Sequence, residues 1–78
     1  MRKTIEQVRT LATQLQPGLA YEYNSVLGIL YMEDYYTKKS DIWLCKEHPH
    51  EIDEAYTWLK DQQKARRRHS YESIAEQT

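Results

Sequence analysis

The side chains with the widest chemical repertoire in this chain are Cys45, His48 and His50, which read C-x2-H-x-H. A thiolate and two imidazoles are good zinc ligands, but a structural zinc takes four. The fourth would have to be Glu54 or His69, and the set straddles Pro49 and a strand end. The simpler arrangement puts Cys45 in the interior as a small apolar residue and the histidines at a helix start. We expect that arrangement, with no metal and no other cofactor.

For acyl transfer or hydrolysis the chain offers Cys45, Ser25, Ser40, Ser70, Ser73 and three histidines, none of them in a nucleophile-elbow motif. A nucleophile also needs a positioned base and an enclosed pocket, which a 78-residue domain seldom builds. Adjacent carboxylates occur at Glu33-Asp34 and at Glu51, Asp53 and Glu54, where solvated pairs and a helix start account for them. Gly18 and Gly28 stand apart, so there is no phosphate-binding loop. The expectation is a protein without catalysis of its own.

Charge is segregated along the chain. Residues 1–59 carry six Lys/Arg against nine Asp/Glu, residues 60–69 carry five against one, and the total is −1. Lys64, Arg66, Arg67 and Arg68 could therefore hold a nucleic-acid backbone only locally, with Tyr71 beside them. Their other reading is a solvated helix end that complements the dipole, and it also explains the acidic start of the same helix.

The most informative feature is aromatic. There is no Phe, but there are seven Tyr and two Trp, so almost every ring carries a polar handle that suits half-buried surfaces.

These residues must be positioned by a small set of elements. Ile5, Val8, Leu11, Ala12 and Leu15 recur at helical spacing, Thr4 and Gln7 have the form of a capping box, and Pro17-Gly18 is a stop; the spacing predicts a helix over 4–15. Alternation predicts strands near 19–24, 28–34 and 41–46, with a hairpin turn over 37–41. The competing reading of the middle is a second helix opened by Pro17, which would give a small all-α bundle. After His48-Pro49, a stripe of Ile52, Ala55, Tyr56, Leu59 and Gln63 predicts the last helix, and residues 70–78 are expected to fray. The fold class is α+β, helix, three-stranded antiparallel sheet, helix, with both helices on one sheet face and a single domain over 1–69.

That element order resembles double-stranded-RNA-binding domains. In that family the second helix opens with a Lys-Lys-x-Ala-Lys type cluster that grips phosphates. Here the matching stretch is His50-Glu51-Ile52-Asp53-Glu54-Ala55, whose carboxylates repel a phosphate backbone. The resemblance therefore implies an architecture only.

A one-sided sheet should alternate apolar and polar residues. Here both phases are apolar: Ile29 and Tyr31 alternate with Leu30 and Met32, and Ile42 and Leu44 with Trp43 and Cys45. One face then has no helix to cover it, and uncovered apolar faces mark partner sites. Trp58 lies about 120° round the last helix from the Ile52 stripe. We expect a small protein-interaction module, a regulator, inhibitor or assembly subunit, that forms a homodimer or binds another protein through Tyr21, Tyr23, Tyr31, Trp43 and Trp58. The longest apolar run, Val26 to Met32, is too short for a membrane span, no signal peptide is evident at the N-terminus, and Cys45 has no disulfide partner. These point to a cytoplasmic setting. The alternative function is a nucleic-acid accessory protein using the basic helix end.

Overall fold

The computed structural model describes residues 2–77, with side chains described through Arg66. The order is α1 (Ile5–Gln14), β1 (Leu19–Asn24), β2 (Ile29–Asp34), β3 (Lys39–Leu44) and α2 (His50–Gln77). The strands form one antiparallel sheet in the order β1-β2-β3. The αβββα architecture is thus present, and residues 17–30 are not a helix.

α1 starts where the capping box puts it. The Thr4 hydroxyl accepts from the Gln7 N–H at 3.3 Å, and the Gln7 side chain accepts from the Thr4 N–H at 2.8 Å. Both close backbone donors that a helix start leaves open. One face of α1 supplies Val8, Leu11 and Ala12 to the core, and the C-cap residue Leu15 joins them.

The two hairpin loops share one design. Each is four residues long and follows an Asn or Asp that ends a strand. Asn24 Oδ1 accepts from the N–H groups of Val26 and Leu27, both at 3.0 Å, and the Gly28 N–H closes on the Asn24 carbonyl at 2.7 Å. Asp34 Oδ1 accepts from Tyr36 and Thr37 at 2.8 and 3.2 Å, and the Lys38 N–H closes on the Asp34 carbonyl at 2.9 Å. The last loop residue is left-handed in both, Gly28 at φ 70° and Lys38 at φ 63°. This chemistry corrects the expected turn over 37–41: β2 ends at Asp34 as expected, but the Asp34 side chain turns the chain immediately, over 35–38. Consequently β3 occupies 39–44 rather than 41–46.

Register puts Leu19, Tyr21, Tyr23, Leu30, Met32, Asp34 and Trp43 on one sheet face, and Cys45 continues it. Both helices pack there. Ala55 and Leu59 of α2 are fully buried against that face, and Ile52 and Tyr56 flank them. Gln62, not Gln63, is the buried glutamine, because 52, 55, 59, 62 and 66 continue one straight stripe while 63 rotates off it. No helix among the described residues is long and apolar enough to cross a membrane.

Candidate functional site

The opposite sheet face carries Ile29, Tyr31, Ile42 and Leu44. Ile29 stands opposite Leu44 and Tyr31 opposite Ile42, so the four form two adjacent cross-strand pairs. Ile42 is 56% exposed and Leu44 36%, while Ile29 and Tyr31 are half-buried by their neighbours. At the adjoining β1–β2 loop, Val26 and Leu27 are also exposed. Among the described residues neither helix reaches this face, since both pack on the other one. Glu22 and Glu33 share the face and border the apolar patch.

The five aromatic candidates divide between the two faces. Tyr31 lies within the open patch. Tyr21 and Tyr23 are on the helix-covered face, half-buried against the core, and the Tyr21 hydroxyl is 3.3 Å from that of Thr13 on α1. Trp43 is 4% exposed and is a core residue, which corrects its placement on an open face. Burying it brings its large ring against α2, where Trp58 meets it edge-on at 5.4 Å between ring centroids. Trp58 itself is half-buried. The pair forms the floor of a groove between β3 and α2.

The structure also corrects the basic cluster. Arg66 does not face solvent. Its Nε donates to Asp34 Oδ2 at 2.9 Å, its Nη1 donates to the Leu15 carbonyl at 2.6 Å, and its guanidinium lies 4.8 Å from the Tyr36 ring. Asp34 is fully buried, and the adjacent Gln62 accepts from the Thr37 hydroxyl at 2.7 Å. One guanidinium thus ties the end of α1, the β2–β3 loop and α2 together, and it is not available to a phosphate. Lys64 is exposed; the side chains of Arg67, Arg68 and the expected tail at 70–78 lie outside the described residues. Sequence reasoning missed this hub. Its signal was the spacing of Leu59, Gln62 and Arg66 on the buried stripe of α2.

Cys45, His48 and His50 do not converge. The thiol is buried with the core, and burial pushes its pKa up, with the Glu51 carboxylate adding to the effect. It is therefore held as the poorly nucleophilic thiol. His48 and His50 are exposed, with ring centroids 5.7 Å apart. Among the described residues no three His, Cys, Asp or Glu side chains come together as a metal site.

The free edge of β3 is capped. The Ile42 N–H donates to Asp41 Oδ1 at 2.8 Å, and the Leu44 N–H donates to Glu51 Oε1 at 3.2 Å. Carboxylates on these outward donors oppose addition of a further strand at this edge. No family model matches the chain, and comparison with curated proteins and with solved structures finds no match.

Proposed function

We propose that this protein is a non-catalytic interaction module that associates with a second copy of itself through the open sheet face. The observation that carries the reading is the uncovered patch of Ile29, Tyr31, Ile42 and Leu44 on a sheet whose other face is already filled by both helices. Cross-strand pairs of aliphatic and aromatic residues make a flat apolar patch bordered by Glu22 and Glu33, and a two-fold axis brings such a patch against itself. Glu22 and Glu33 at the border disfavour off-centre stacking, because like charges would then meet. As a regulator, inhibitor or assembly subunit, the protein would act by presenting or occluding this face.

Sedimentation over a wide concentration range tests it. The wild type should move from monomer to dimer, and Ile42→Glu should weaken dimerisation by about tenfold or more, as for a central contact residue. Its thermal stability should change little, because the side chain is mainly exposed. A wild type that stays monomeric at high micromolar concentration excludes the second copy and leaves the face to a foreign protein.

A further inference from the structure

We infer that the second copy lies on the open sheet face with its strands antiparallel to those beneath it, so that Glu33 of each copy pairs with Lys46 of the other. This rests on the reading of the face as a self-association site and adds the orientation and the charges that set it.

The register of the two hairpins lays nine residues on the face in three cross-strand rows: Asn24, Ile29 and Leu44, then Glu22, Tyr31 and Ile42, then Ala20, Glu33 and Ser40. The large apolar residues fill the β2 and β3 positions of the first two rows. The charges are spread unevenly along the strands. Glu33, half-buried, is in the row next to the β2–β3 loop. At the opposite end, beyond the first row, the exposed Lys46 donates from Nζ to the Val26 carbonyl in the β1–β2 loop at 3.1 Å. The ion pairs among the described residues are Arg9 with Glu6 and Arg66 with Asp34, so Glu33 and Lys46 belong to neither. Lys39 stands opposite Asp34 and is therefore on the helix-covered side.

A two-fold axis between the stacked faces, centred on the apolar patch, has three directions to choose from. Along the strands, it carries β1 of each copy past the β3 edge of the other and brings the two Lys46 ends together. On the diagonal, the sheets cross at a right angle, the third row is left uncovered and Glu22 lies over Lys46. Across the strands, all three strands of both copies overlap. Ile29 then lies over Tyr31, Leu44 over Ile42 and Glu22 over Asn24, and Glu33 comes over the β1–β2 loop end that holds Lys46. Stacked sheets lie about 10 Å apart, a gap that a lysine and a glutamate reaching toward each other close. Only this axis covers the whole face and sets each end charge against its opposite.

The test is sedimentation of the full chain carrying Glu33→Lys, Lys46→Glu or both changes, and of an equimolar mixture of the two single variants. Each single reversal places like charges together twice in a symmetric dimer and should weaken dimerisation about tenfold, as for two exposed pairs. The double variant and the mixture restore opposite charges at both places and should recover wild-type association. Recovery in the mixture cannot come from folding, because it contains the same chains that associate poorly alone. Single variants that dimerise like the wild type, or a weakening that neither the double variant nor the mixture recovers, would overturn the arrangement. Recovery of Lys46→Glu by Glu22→Lys in place of Glu33→Lys would also overturn it, by crossing the sheets at a right angle. In each of these cases a wild-type dimer sensitive to Ile42→Glu keeps the face as the association site, whereas a monomeric wild type removes the site and the arrangement together.

Discussion

Replacing Arg66 by alanine tests how the three parts of the fold are joined. The substitution removes the donor to Asp34 Oδ2, the donor to the Leu15 carbonyl, and the cation over Tyr36. It leaves a fully buried carboxylate whose other oxygen is still held by two loop N–H groups, so Asp34 cannot swing out to water without breaking the β2–β3 loop. Removing one partner of a buried ion pair costs about 3–5 kcal/mol. A domain of this length has a total stability of about 4–12 kcal/mol, so the loss is a large share of it. In urea, with an m value of about 1.5 kcal/mol/M, the unfolding midpoint should fall by about 2 M or more. Arg66→Lys should recover only part, because one ammonium cannot serve the carboxylate and the carbonyl in the fork geometry of a guanidinium. The cost should persist at molar salt, since the Arg66 side chain is 16% exposed and Asp34 is not exposed at all. A loss below about 1 kcal/mol, the range of surface pairs, or one that disappears in salt, would refute the buried-hub account.

Two further outcomes follow from backbone and thiol. Lys38→Gly should raise the melting temperature by a few degrees: it relieves a left-handed strain of about 1–2 kcal/mol and gives back about 0.5–1 kcal/mol in backbone entropy. A lowered melting temperature would mean that the Lys38 side chain contributes something its backbone angle does not show. Burial raises the folded-state pKa of Cys45 above its ordinary 9.0, so the protonated thiol is the form the fold prefers. Its contribution is complete below the ordinary value and is lost as pH rises toward the folded one. The stability difference between wild type and Cys45→Ala in urea should therefore shrink above about pH 9 and be flat below it. A difference that stays constant across that range would show the thiol to be reachable by water.

What could be read from the sequence was what local chemistry decides. The capping box of Thr4 and Gln7 and the Pro17-Gly18 stop are short-range signals, and α1 lies where they put it. β1 likewise fits its alternation, ended by Asn24. The end of β2 at Asp34 also fits its alternation, but the turn after it was harder, because the deciding group is the Asp34 side chain, which holds the N–H groups of Tyr36 and Thr37 and turns the chain at once. Which apolar phase of β2 and β3 would face the helices was not legible. Ile42/Leu44 and Trp43/Cys45 are both suitable cores, and the choice depends on Trp43 meeting Trp58 across elements. The Asp34–Arg66 pair spans 32 residues and was hidden for the same reason.

The four-residue loops determine more than where the strands turn. They make the paired residue numbers sum to an odd value in both hairpins, as in Leu30 with Trp43, so the inward parity alternates from strand to strand. Sliding β3 by a single residue would turn it over, taking Ile42 and Leu44 in and Trp43 and Cys45 out. In most one-sided sheets the hydrophobic pattern forbids that exchange; here it would replace one apolar set by another. Selection between the two packings falls instead on the Trp43–Trp58 contact and on polar groups: Asp34 gripping its loop and Arg66, and Lys38 accepting a left-handed backbone. The fold's uniqueness is thus written in one ring contact between elements and in its charges, and the apolar pattern along the strands leaves it open.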